Sequence, residues 1–272
     1  MDIKTIKQFV RFCYDDIAEE LGFTRIGNGY YKVLEYCIIG FGISRSGYTN
    51  LLKVNFDIIP LSGELYIGDT LCNMNDISRL YFINGKESFA GLSVKKTIVF
   101  SASLLQEQYQ MMKDAIIYAF EVYQKPIINH IHDLTSAYAI REGWGAFFCA
   151  LDHAIPHGFS LEDNHVHFLL ELKDYDVLLN DYKKYELWYK DSYGANFRWD
   201  RSEVDNLYRS LIMNREYDTI EVMLDKRRME NVKTLFNLSK GRIDLPKDIR
   251  DKYLGENVSR GRCQGDGSLD NP

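Results

Sequence analysis

Apolar residues recur at helical spacing at the start of the chain. Ile3, Ile6, Val10, Cys13, Ile17 and Leu21 fall on one stripe, and Gly22 follows as a left-handed stop. The period then shortens. Leu52, Val54, Phe56 and Ile58 alternate with Lys53, Asn55 and Asp57, the pattern of a strand with one buried and one wet face. Pro60 and Ser62-Gly63 stop this run, and Gly63 can turn the chain into a second strand near residues 65–67. Similar runs at residues 30–43, 80–83 and 92–100 bring the expected total to about five strands. Short connections favour antiparallel pairing.

From Ser103 the helical period returns. Leu105, Tyr109, Met112, Ile116, Ala119 and Tyr123 form a stripe, Ser103 with Gln106 matches a capping box, and Pro126 ends the segment. A second helix is expected over 134–151, with Gly143 and Gly145 weakening its middle. Leu178, Tyr182, Tyr185 and Tyr189 mark a third, and Val204, Leu207 and Leu211 a fourth. Ile220, Met223, Met229, Val232 and Phe236 mark a fifth. Strands first and helices afterwards define an α+β fold, an antiparallel sheet flanked by helices and followed by a helical carboxyl-terminal half. The expected units are an α+β region over 1–125, a mainly helical region over 126–254 and a mobile tail over 255–272, almost without apolar residues. Whether the first two share one core is left open at this stage. No internal repeat is read at solenoid periods.

Composition narrows the class. The chain has 272 residues, 46% of them hydrophobic and 26% charged, which excludes disordered, collagen-like and disulfide-scaffold proteins. Its 33 basic and 39 acidic residues leave a formal net charge of −6, against general nucleic-acid binding. The one clear basic run, Lys226-Arg227-Arg228, is surrounded by Glu221, Asp225 and Glu230 and reads as the solvated face of a helix. The five cysteines, Cys13, Cys37, Cys72, Cys149 and Cys263, form no CxxC pair. No apolar run is long enough to span a membrane. Met1-Asp2-Ile3-Lys4 leads into an amphipathic pattern rather than a signal core, so the expected location is the cytoplasm.

Candidate chemistry is concentrated in one segment. All six histidines, His130, His132, His153, His157, His165 and His167, fall between positions 130 and 167. The pairs two apart would share a face on strands, and His153 with His157 would share one on a helix. Asp133, Asp152, Glu162 and Asp163 lie beside them, so zinc or another divalent transition metal activating a water is the alternative reading, that of a metal-dependent hydrolase. Pro156 interrupts the HxxxH face, HExxH is absent, and structural histidines are the leading reading, with no cofactor. Cys149 with Asp152 and His153 resembles a thiol–base pair, yet its apolar neighbours mark a small buried hydrophobe. The glycines from Gly40 to Gly47 lack a Lys-Ser or Lys-Thr ending and read as a hairpin turn rather than a phosphate loop. The chain carries 19 tyrosines, dense around Tyr182, Tyr185, Trp188, Tyr189 and Trp199, and this polar-aromatic stretch is the candidate partner-binding face.

Several short amino-terminal motifs go together. Leu21-Gly22-Phe23, Gly27-Asn28-Gly29-Tyr30-Tyr31, Val54-Asn55-Phe56 and Ile59-Pro60-Leu61, with Ala137-Tyr138 later, resemble the bacterial family catalogued as domain of unknown function 4304. The resemblance covers about the first quarter of the chain and implies a small bacterial α+β domain without catalytic residues, of a kind suspected as immunity or accessory proteins. The expectation is a non-enzymatic interaction protein, immunity-like, whose acidic and aromatic surface binds a basic protein partner.

Overall fold

The computed structural model describes residues 6–45, 52–65, 81–83, 86–88, 125–151, 163–193 and 203–255, with residues 110, 113, 114, 116, 117, 120 and 121 between them. Helix α1 (Ile6–Glu20) buries Phe9, Val10, Cys13, Tyr14, Ile17 and Ala18, its apolar stripe. It stops as the sequence requires. Gly22 takes φ 73°, and the Phe23 amide donates back to the Ala18 carbonyl at 2.8 Å.

Strands β1 (Thr24–Ile26), β2 (Gly29–Val33), β3 (Cys37–Arg45) and β4 (Leu52–Pro60) then form an antiparallel meander in the order β1-β2-β3-β4. The fold is α+β, with four strands in this sheet rather than about five. Strands β5 (Tyr81–Ile83) and β6 (Lys86–Ser88) pair separately, and the run expected over 92–100 lies outside the described residues. Of the glycines read as a hairpin turn, Gly40 and Gly42 stand inside β3, and Gly47 lies outside the described residues. Gly40 faces the Tyr31 ring, and Gly42 brings the strand against the Asn28 carbonyl, where a Cβ would sit 2.7 Å from the oxygen.

Register divides the side chains between two cores. Tyr30 pairs with Phe41 and Ile39 with Ile58, and these face α1, joined by Ile116 and Phe120. Val33 pairs with Ile38 and Ile38 with Ile59, and these face the opposite way. The second face was expected to be wet. Helices cover it instead, so the sheet is the middle of three layers.

Six of the remaining helices fall into three helix–turn–helix hairpins in sequence, and in the second and third the paired helices pack together. They are α2 (Lys125–His130) with α3 (Leu134–Leu151), α4 (Asp163–Glu171) with α5 (Tyr175–Tyr193), and α6 (Glu203–Met213) with α7 (Tyr217–Leu238). Each pair is joined by three residues, 131–133, 172–174 and 214–216. The second helices begin at Leu134, Tyr175 and Tyr217, spacings of 41 and 42 residues. The second and third pairs make a repeat of 42 residues that the sequence reading did not find, in the period range of helical-hairpin arrays.

The turns repeat in detail. Asp133, Asp174 and Glu216 end them, accepting on their carbonyls from Ala137, Leu178 and Ile220, each fully buried. In the second and third hairpins the match extends further. Lys173 and Arg215 take φ 58° and 60°, and Asp174 and Glu216 donate to Leu169 and Leu211 at 2.9 and 2.8 Å.

The array runs round the β4 edge. Ile131 and Ala137 of the first hairpin and Phe168 of the second enter the core under α1. Val166, Leu169 and Leu170 pack with Tyr182, Tyr208 and Leu224 between the second and third hairpins. Val232 and Leu235 of α7 then reach the other face of the sheet, where α8 (Lys247–Leu254) adds Ile249 and Tyr253. Helix α4 is buried on all sides over residues 164–170, and it covers an edge strand that would otherwise offer unpaired backbone groups.

Candidate functional site

Two polar clusters flank α4, and both bind it to neighbouring elements. The first clasps the turn after β4. Arg227 Nε donates to the Ser62 carbonyl at 2.8 Å, and Asn231 Nδ2 donates to those of Leu61 and Gly63 at 2.8 and 2.7 Å. From α4, Glu171 accepts the Ser62 amide, Asn164 accepts the Glu64 amide at 2.7 Å, and His167 Nδ1 lies 3.3 Å from Ser62 Oγ. Gly63 is required here, because a Cβ would stand 2.5 Å from Asn164 Oδ1.

Arg228 closes this cluster with a two-pronged contact to Glu171 at 3.0 and 2.6 Å and a third bond to Glu221 at 2.7 Å. Burial works against its charge, but the two glutamates outweigh it and hold the guanidinium protonated more firmly than usual. The basic run read as a solvated face is thus a structural joint. Its arginines bind the sheet turn and the second hairpin, and only Lys226 stands out in water.

The second cluster joins three helices. His165 Nδ1 lies 3.0 Å from Glu142 on α3, and its Nε2 lies 3.1 Å from Asp181 on α5. Arg141 and Lys184 add cations at 3.3 and 3.2 Å. For Glu142, burial pushes the carboxyl up, while the His165 contact and the charges of His165 and Arg141 pull harder and leave it below its ordinary value.

These contacts decide the fate of the histidine segment. His165 and His167 stand two apart on a helix, not a strand, so they point to nearly opposite sides. Both ring nitrogens of His165 meet carboxylates, which leaves no open nitrogen for a metal ion. His130 is exposed, with Nδ1 2.6 Å from the Pro126 carbonyl, and His132 is exposed in the first turn. Asp133 beside it forms a reciprocal cap with Ser136 at the start of α3. Among the described residues no three His, Cys, Asp or Glu side chains group to hold a metal ion, and His153 and His157 lie outside them. The side chain of Cys149, with Asp152 next to His153, is also outside.

The tyrosine face is divided. Tyr182 is fully buried between the second and third hairpins, and Tyr185 packs against the same core half-buried. The first therefore fills the interior rather than meeting a partner. The side chains of Trp188 and Tyr189, and Trp199, lie outside the described residues.

A different pair reaches the surface. Tyr175 and Tyr217, equivalent residues of successive hairpins, stack with ring centroids 4.7 Å apart and planes at 1°. Burial, then the charge of Glu221, pushes the Tyr175 hydroxyl up. Asp174 and Asp176 flank the first ring, Glu216 and Asp218 the second, and all four are exposed. The signal for this edge was in the sequence as Lys173-Asp174-Tyr175-Asp176 and Arg215-Glu216-Tyr217-Asp218, 42 residues apart. Among the described residues no helix is long and apolar enough to cross a membrane. Comparison of the chain with protein-family models, curated proteins and solved structures finds no match.

Proposed function

We propose that this chain is a non-enzymatic protein-binding protein, in which a sheet-anchored array of helical hairpins presents an acidic and aromatic surface to a basic partner. The observation that carries the reading is the pair of matching hairpins 42 residues apart, preceded by a third helix–turn–helix unit at 41 residues, since stacked hairpins build extended surfaces suited to recognition. The net charge of −6 and the exposed carboxylates on successive turns suit a basic partner, whose encounter complementary charge would speed. Among the described residues, the polar side chains clustered about α4 hold structural elements together, which is the role this reading gives them. An immunity-like role in a bacterial cytoplasm, implied by the amino-terminal resemblance, belongs to the same reading.

The test is affinity purification of the untagged chain from its own host at low ionic strength, followed by native mass spectrometry. One partner of high pI in fixed stoichiometry, released by salt of about 0.5 M as exposed charges are screened, is expected. A chain that returns alone under all conditions contradicts the proposal.

A further inference from the structure

We infer that the turn of the third hairpin, centred on Tyr217, is the docking surface for an arginine-rich segment of the partner. This rests on the protein-binding reading above and adds the place and the chemistry. Within the array, the last residue of α4, Glu171, is covered by Arg228 of the following hairpin. Its counterpart 42 residues on is Met213, and it is 68% exposed. Tyr217 has Tyr175 on one side of its ring and remains 41% exposed. Met213 and Tyr217, exposed at the last hairpin turn among the described residues, are of types enriched where partners bind.

Charge selects the occupant. Asp174 and Asp176 adjoin Tyr175 in the chain and Glu216 and Asp218 adjoin Tyr217, all four exposed, against the cations Lys173 and Arg215 at the same turns. A guanidinium can lie flat over the open part of the Tyr217 ring while its N–H groups donate to those carboxylates. A second copy of this chain would bring like charges together.

The experiment titrates the full chain into a fluorescein-labelled peptide of alternating arginine and serine, read by anisotropy at physiological ionic strength. Tyr217→Ala and the pair Asp176→Asn/Asp218→Asn are each expected to weaken binding about tenfold, as loss of a central anchor or of complementary charge does. Met213→Lys, at a side chain too exposed to affect folding, is expected to weaken it comparably. The control pair Asp248→Asn/Asp251→Asn on α8 should leave binding within about twofold, because distant charges are screened. The inference is overturned if the peptide does not bind, if control and edge variants weaken it alike, or if sedimentation shows the edge occupied by a second copy. If the peptide fails while a stoichiometric partner still co-purifies, this inference falls and the protein-binding reading stands.

Discussion

Lys173 and Arg215 hold the left-handed conformation at the ends of α4 and α6, where the chain reverses into the next helix. A side chain there crowds the following carbonyl, which glycine avoids. Lys173→Gly and Arg215→Gly are each expected to stabilise the chain by about 0.5–1 kcal/mol in urea denaturation, a margin set by the compatibility of glycine with this φ. Unchanged or lowered midpoints would show that these cations make compensating contacts in the free protein. Single residues also account for most of what the sequence left hidden. His165 and His167 were legible as a spaced pair but not as a helical one, because α4 is buried on all sides and its apolar residues show no helical stripe. Asp133 looked like a metal ligand by its neighbours, and what it does is cap α3 through Ser136.

At the scale of elements, amphipathic helices were legible and buried joints were not. The stripes that mark α1 and the start of α7 follow from one-sided burial, and the expected bounds of α3, 134–151, match the structure. The Lys226-Arg227-Arg228 run gave no such sign, since the carboxylate that buries Arg228 lies 57 residues away on α4. Only 11% of the Arg228 side chain and 9% of Glu171 are exposed. Arg228→Met should therefore cost about 3–5 kcal/mol, because it strands a buried carboxylate. Adding Glu171→Gln should restore part of that loss, and the coupling in a denaturation cycle measures how firmly the second and third hairpins are joined. Additive losses would mean the joint is not formed.

The Glu142–His165–Asp181 cluster makes a pH prediction at the same scale. The folded Glu142 carboxyl titrates below its unfolded value, so its contribution is complete above the unfolded carboxylate range and disappears as pH falls through the folded value. Glu142→Gln is expected to flatten the acid limb of the Tm–pH curve. An unchanged acid limb would assign the loss of stability to other carboxylates.

For the whole molecule, the sequence separated an amino-terminal α+β region from a helical region, and packing joins them. Phe168 enters the core under α1, while Val232 and Leu235 enter the core on the far side of the sheet. Long-range packing of this kind leaves no local pattern in either segment. The repeat escaped reading for a related reason. The first hairpin keeps only Asp133, Ala137 and the three-residue turn, while its core positions adapt to the sheet.

An array packed into both cores of the sheet should open with the sheet rather than apart from it. Native-state hydrogen exchange read by mass spectrometry, with urea raised in small steps, tests this most directly. Amides around Val232 and Leu235 in α7 and those from Ile38 to Phe41 in β3 should lose protection together, through one global opening. Release of the α5 and α7 amides at lower urea, with the sheet still protected, would contradict a single sheet-anchored array.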